Sequence, residues 1–441
     1  MPENRDANQR RARREQLRRQ RAAEVKKLRL RLLAAVLVLL ASAAVIIAVS
    51  RKGGAAPQNG ESVPAMNLSA TGAPTEAPTE TTAAPVRVDQ QQDVLPDEPT
   101  TVIHIAAGGD LVVCDETVNA VGDSGDYTTT FQDVMPILAT ADLACLNFEG
   151  ILAGQPYGTA SVSAPETMLT ALKNAGVDVL QMANSKSIAG GISGLSASLQ
   201  AVRRAGLTGV GAYATNADAR KGKGYVIREV NGLRVALVAF TKGMDNMTLP
   251  DGSDKCVNLL YTDYDEDYQT VNTAGITQIL KAVASEQPDV TIALLHWGSE
   301  YNDLISSTQT TIRDLMFDNG VDAILGSHPH YVQQVEFNED TGKLVCYSLG
   351  DFFSAGDRAG TEYSVLLDLE ITRDNATGET KITSYTATPI ATVGSGADHR
   401  VVRLETAMTA YELGALNAVT PDEYAALQNG LDRATARLKG E

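Results

Sequence analysis

The chain has few aromatic residues (5%, with a single Trp), 5 histidines and 4 cysteines, and only one stretch of its 441 residues is both long and apolar. Each scarcity excludes something. No C-x-x-C spacing occurs among Cys114, Cys145, Cys256 and Cys346, so no sequence motif points to thiolate zinc binding or dithiol redox work. The spacing selects no disulfide pairing among the four, and small buried thiols are the expectation. A single apolar run excludes a multi-pass membrane protein. Basic residues thin out after residue 52, where 389 residues hold 23 Lys and Arg against 50 Asp and Glu, a net of −27. A body that acidic repels phosphodiester backbones, so no nucleic-acid partner is expected. Hydrophobic content of 44% argues against disorder throughout, and the length is enough for two or three domains.

What is present divides sharply. Residues 1–52 carry 14 basic and 4 acidic residues, a net of +10. Within them Leu32 to Ser50 is an uncharged run of 19 residues, about the length that crosses a ~30 Å hydrocarbon core. Twelve Lys or Arg residues precede this run, from Arg5 to Arg31, and only Arg51 and Lys52 follow directly. The positive-inside bias puts the N-terminus in the cytoplasm and the body outside the cell. A cleaved signal peptide is the rival reading. Ala48-Val49-Ser50 with Arg51 and Lys52 directly behind it is a poor cleavage site, so the run is read as an uncleaved anchor. The basic tail, residues 1–31, either lies on anionic lipid or serves only as a topology signal. Residues 51–100 read as a disordered linker. Positions 53–99 hold seven of the 16 prolines, no aromatic residue and the near-repeat Ala-Pro-Thr-Glu at 73–76 and 77–80, a composition that cannot offset ordering entropy by burial.

From Thr101 short β-branched apolar runs alternate with helical periods. The runs are Val102–Val113, Leu143–Phe148, Val177–Met182, Val235–Phe240, Val290–Leu295 and Ala323–Leu325. Between them Thr130–Ala139, Ala164–Ala175, Ser193–Ala205, Val271–Ser285 and Ser307–Asn319 show apolar residues at helical spacing. Such alternation predicts an α/β fold with a buried, mixed or parallel sheet. Val332–Glu336, Leu344–Leu349, Ser364–Ile371 and Thr380–Ala387 read as antiparallel strands, with Asp374–Gly378 as the turn between the last two. The main domain is thus placed at residues 101–392, and 393–441 is read as a helical tail, with helix over roughly Glu405–Lys439.

Polar residues gather where the apolar runs end, which in open α/β sheets is where ligands bind. The clusters are Gly109-Asp110, Asn147-Phe148-Glu149, Asn184-Ser185-Lys186, His296-Trp297-Gly298-Ser299-Glu300 and Gly326-Ser327-His328-Pro329-His330. Three of the five histidines and the only Trp lie in them. Neutral imidazoles with carboxylates and an Asn carbonyl suit a divalent ion of borderline softness, one or two in number. His104, inside the first apolar run, reads as a core histidine, and His399 as a surface residue.

These clusters resemble the bacterial poly-γ-glutamate capsule-synthesis family, the CapA-type branch of the calcineurin-like metallophosphoesterase superfamily. The resemblance spans roughly Ile103 to Ile390. It rests on Gly-Asp110-Leu, Asn147-Phe-Glu149, His296-Trp-Gly-x-Glu300-Tyr301, His328-Pro-His330 and Tyr347-Ser-Leu-Gly-Asp351-Phe-Phe. It implies an αββα metallophosphoesterase-like sandwich on a membrane tether, with the domain outside the cell. It also implies a part in making or exporting an anionic glutamate polymer, or another cell-envelope polymer, alongside capsule-synthesis membrane proteins. The metal ligands it implies are Asp110, Glu149, Asn184, His296, His328 and His330, holding Mn, Fe or Zn.

This chain departs from the family's third motif, Ala-Asn-Asn-His-x-x-Asp-x-Gly. It reads Ala183-Asn184-Ser185-Lys186-Ser187-Ile188-Ala189-Gly190-Gly191, with Lys186 in place of the His and Ala189 in place of the Asp. An acid near the leaving group and its carboxylate partner are therefore both missing. An ammonium with an ordinary pKa of ~10.4 balances anion charge but is a poor acid at neutral pH. Asp351 replaces the family's usual Asn and adds negative charge. Lys186 and Glu300 are the residues expected to take part in any reaction, and a non-catalytic binding module is the alternative.

Overall fold

The computed structural model describes residues 99–122, 125–414 and 419–441. The expected anchor Leu32–Ser50 and the linker lie outside them. Among the described residues no helix is long and apolar enough to cross a membrane. In chain order the strands are β1 (Thr100–Val112), β2 (Leu143–Glu149), β3 (Val179–Gln181), β4 (Thr208–Val210), β5 (Tyr225–Val230), β6 (Leu233–Thr241) and β7 (Val290–His296). They continue as β8 (Ala323–Ser327), β9 (Val335–Asn338), β10 (Lys343–Cys346), β11 (Tyr363–Asp374), β12 (Thr380–Val393) and β13 (Arg400–Arg403). The longer helices are α1 (Glu166–Ala175), α2 (Gly191–Arg204), α3 (Asn216–Gly222), α4 (Thr273–Ser285), α5 (Ser307–Asp318), α6 (Leu404–Glu412) and α7 (Pro421–Lys439).

Two mixed sheets result, ordered β13-β12-β11-β1-β2-β3-β4 and β5-β6-β7-β8-β10-β9. Each has a parallel centre, β1 to β4 in one and β6-β7-β8-β10 in the other, with antiparallel strands at the margins. The period-2 pattern of β6 shows how the layers stack. Val235, Leu237 and Ala239 join the core shared with the first sheet. Ala236, Val238 and Phe240 join a second core with Ile276 and Leu280 of α4 and Ile312 and Met316 of α5. Met168, Leu169 and Leu172 of α1, with Leu195, Leu199 and Val202 of α2, pack into the large core on the side of the first sheet. The result is an α/β sandwich of two sheets with helices packed on them.

Helix boundaries follow local chemistry. Ser306 and Gln309 form a reciprocal capping box at the start of α5. Gly176, at φ 109, ends α1 in the left-handed region that a Cβ disfavours. The helix expected over Thr130–Ala139 is confined to Met135–Leu138, because Pro136 donates no N–H and so starts a helical turn rather than continuing one. The strand expected to be antiparallel over Leu344–Leu349 is shorter and pairs both ways, parallel with β8 and antiparallel with β9. The segment read as a helical tail also supplies β13, which pairs with β12. Two histidine expectations are reversed. His104 is not in the core: its side chain is 43% exposed and sits 3.0 Å from Asp368, because it alternates with the buried Ile103 and Ile105. His399 is buried rather than on the surface, packed on Phe353 and bonded to the carbonyls of Ser354 and Gly394.

Candidate metal centre

Strand ends from both sheets converge on one buried cluster. Asp110 and Glu149 come from β1 and β2, where Asp110 pairs with Asn147. His296 ends β7 opposite Ser327 of β8, and His328 and His330 follow directly. Two backbone features deliver these groups. A register shift lies between Ala107 and Asp110, and there Gly109, lacking the Cβ that would lie 1.8 Å from the Gly350 carbonyl oxygen, permits the close approach in which Asp110 donates its N–H to that oxygen at 3.0 Å. His328 and His330 adopt φ values of 92° and 59°, a left-handed conformation rare outside glycine and concentrated at functional sites.

Asp110, Glu149, His296, His328 and His330 are all buried. Their ligand-capable atoms fall into two groups, Glu149 with His296 and His328, and Asp110 with Glu149 and His330, each within 4.8 Å. Glu149 belongs to both. Its Oε1 accepts a hydrogen bond from Ser185 Oγ, whereas its Oε2 and the Nδ1 of His328 are buried without any hydrogen-bond partner. Leaving such groups unpaired is costly, and native interiors seldom do so unless something else binds there. His296 Nδ1 lies 3.1 Å from Ser327 Oγ and its Nε2 3.2 Å from Ser185 Oγ. His330 Nδ1 lies 2.7 Å from Asp351 Oδ1.

The electrostatics point the same way. Burial, then the nearby Glu149, push Asp110 up to about 7, and burial raises Glu149 as well. Burial holds His296 and His328 well below the usual imidazole value, so both rings are neutral. Burial also works against charge on His330, but Asp351, Glu149 and Asp110 prevail and hold it well above that value. Crowded carboxylates beside the two neutral imidazoles of His296 and His328 form a donor set of the kind that fits a divalent cation of the Mn, Fe or Zn type.

The other expected residues lie around this cluster. Asn184 donates its amide to Asn147 Oδ1 and the Phe148 carbonyl, and its Oδ1 accepts the Lys186 N–H at 3.0 Å. It thereby ties the third-motif loop to β2. Lys186 reaches the rim and bonds Asp245. Burial lowers its pKa, but Asp245, Glu149 and Glu300 outweigh that and raise it. Glu300 is exposed at the same rim.

Sequence reasoning did not assign several neighbours. Lys242 donates to the Gly298 carbonyl at 2.7 Å, and burial lowers its pKa. Tyr301 stacks on His330 with ring centroids 5.1 Å apart, and the Arg358 guanidinium lies 3.6 Å over the Tyr301 ring. Ser185, named in the sequence only as part of the Asn184-Ser185-Lys186 cluster, bonds both Glu149 and His296.

A two-sheet α/β sandwich with an acidic, imidazole-rich centre at its strand ends is the class this geometry defines. The family of bacterial capsule synthesis proteins designated PGA_cap matches residues 104–355, and the chain belongs to that family. Among its relatives is the capsule biosynthesis protein CapA of Bacillus anthracis, 30% identical over 272 residues that cover 59% of this chain and 61% of the relative. The chain therefore spans less than two thirds of that protein's length. The PGA biosynthesis protein CapA of Bacillus subtilis (strain 168) is 27% identical over 303 residues, 65% of this chain and 73% of that one. Among solved structures, a calcineurin-like phosphoesterase from Bacillus subtilis aligns at TM-score 0.43 and 15% identity, covering 75% of this chain and all 100% of that one. A phosphatase from Mycoplasma pneumoniae aligns at TM-score 0.40 and 15% identity, over 66% and 94% of the two chains.

Proposed function

We propose that this chain is a membrane-tethered, extracellular component of capsule polymer synthesis or export, working on an acidic glutamate-type or other envelope polymer at a divalent metal centre. Membership of the capsule synthesis family supports the polymer class, and Leu32–Ser50 with its basic flank supports the tether. The observation that carries the metal reading is Glu149, shared by two ligand-capable groups and left, like His328 in one of them, with one buried polar atom unpaired. Asp110, Glu149, His296, His328 and His330 would hold the ion or ions, with Asn184 bracing the third-motif loop beside them. A bound divalent ion would supply Lewis acidity toward an oxygen of the substrate. The chain's own residues do the rest: Lys186, Lys242 and Arg358 set positive charge around the centre, where an anionic polymer would approach.

One observation favours a second reading, a binding module without turnover. Lys186 is paired with Asp245 where the family places a histidine, and Ala189 offers no carboxylate. The third-motif loop then lacks both the imidazole and the carboxylate that a general acid at that position would need.

Two measurements separate these claims. Hydrolysis of a generic phosphodiester by the full-length chain, with and without manganese, should be detectable and metal-dependent if the centre turns over, and absent if it only binds. Wild type should gain thermal stability on adding manganese, by about 2.7 kcal/mol at 100 times Kd, and His328→Ala should lose that gain. Equal melting temperatures in both proteins, with and without metal, would remove the metal reading. For topology, protease added to wall-stripped cells should digest the body beyond about Arg51 and spare the basic tail. A body that resists until lysis overturns the tether.

A further inference from the structure

A cleft of about 400 Å³ among the described residues is lined by none of the residues of the metal centre. It opens on the outer face of the second sheet, between α3, the start of α4 and the loop around Lys255. Its floor is hydrocarbon, with Phe240, Val257 and Ile279, and Phe240 and Ile279 belong to the core on the far side of β6 from the first sheet. Its rim is cationic, with Arg220, Lys223 and Lys255 against the single carboxylate of Asp254. Lys223 is held by Glu286 at 3.0 Å, and Asp254 accepts from Asn216 at 2.7 Å. Arg220 and Lys255 are exposed, and among the described residues neither side chain has an ion-pair partner.

Two uncommitted cations stand above an apolar floor here, on a body that carries −27 over its last 389 residues. The cleft's rim carries three cationic groups and one carboxylate, the opposite balance to the body as a whole. Its volume lies in the range of small-molecule sites, and a mostly apolar lining with a few polar groups is their usual make-up. We infer that the cleft is a second binding site, separate from the metal centre, for an organic carboxylate that carries its charge on a hydrocarbon stem. The carboxylate meets Arg220 and Lys255, and the stem lies on Ile279 and Phe240. Two sources share this chemistry, a γ-linked glutamyl segment of an acidic polymer and a free acid with an apolar body. The inference does not depend on any metal being bound.

The test is calorimetric titration of the full-length chain with γ-glutamyl tripeptide, with 4-phenylbutyrate, and with 4-phenylbutanamide as the uncharged control. At least one acid should bind saturably, one per chain, more tightly than the amide and more weakly as salt rises. Arg220→Glu combined with Lys255→Glu should weaken that binding at least tenfold. Ile279→Trp, which fills the floor and leaves the rim charges, should abolish it, and His328→Ala should leave it unchanged. Binding of the tripeptide alone assigns the site to polymer, and binding of phenylbutyrate alone assigns it to a free acid. If neither acid binds saturably, or if the charge-reversed protein binds as wild type does, the inference is overturned.

Discussion

Replacing Asp110 by Asn should stabilise the metal-free protein, the opposite of what removing a buried, hydrogen-bonded side chain usually does. Asp110 is fully buried beside Glu149 and Asp351, and its pKa stands at about 7 instead of 3.8. At pH 8 its ionised form is therefore disfavoured in the fold by roughly 4 kcal/mol. Two hydrogen bonds limit the gain, from Asn147 Nδ2 and from the His328 N–H at 2.9 Å. Asparagine keeps an acceptor for one of them, and the other is worth about 1 kcal/mol, more if the amides clash. The net expectation is a gain of about 2 kcal/mol, or ~4 °C in melting temperature for a domain of this size.

The pH dependence carries the sign. Between pH 3.8 and about 7 the native protein holds a proton on Asp110 that the unfolded chain has lost, so wild-type stability falls as pH rises through that window. The advantage of Asp110→Asn should thus be absent near pH 4, grow to about pH 7 and stay level above it. Thermal melts in chelator at pH 4, 6 and 8 measure this directly, and manganese should reverse the order at pH 8. A variant less stable than wild type in chelator at pH 8, by the same margin as at pH 4, would refute the reasoning.

Lys186→His should find a carboxylate already in place, because Asp245 engages the side chain at 186. Any phosphodiester turnover should rise, by up to the roughly 10²–10⁴-fold of general acid catalysis, and adding Ala189→Asp should raise it further. Denatured protein should titrate as four free thiols. In the native state Cys145 and Cys346, buried and pushed up to about 12 by that burial, should resist alkylation at pH 8, while the partly exposed Cys114 should react first. Gly109→Ala should abolish soluble expression, since its Cβ would meet the backbone carbonyl oxygen of Gly350 at 1.8 Å.

The parallel centres of both sheets were legible because fully buried strands appear as nearly continuous apolar runs, as in β2 and β7, whose every residue is buried. What escaped was short or marginal. Thr208–Val210 is three residues with a central glycine, and Tyr225–Val230 is an edge strand with only Val230 buried. His104 was misread although its neighbours carried the signal, since a residue between two buried isoleucines on a strand points the other way. His399 gave no such sign, because its burial depends on Ser354 and Phe353, contacts that only the fold creates.

The candidate site divides the same way. Asp110, Glu149, His296, His328 and His330 stood out because rare residue types clustered at strand ends, and the fold brings them within one cluster. Asp245, Lys242 and Arg358 did not, because each lies on a loop whose position is set by tertiary packing and has no periodic pattern. The pairing of Lys186 with Asp245 is 59 residues apart in sequence, and nothing local announces it.

The central claim is that Glu149 and its neighbours form a divalent metal site. It is tested most directly by the metal content of the full-length protein after chelation and reloading with manganese, iron or zinc, measured by mass spectrometry beside Glu149→Gln. Because Glu149 belongs to both ligand-capable groups, wild type should retain at least one ion per chain through desalting and the variant should retain far less. A wild type that holds no metal after reloading, or a variant that holds as much as wild type, would contradict it.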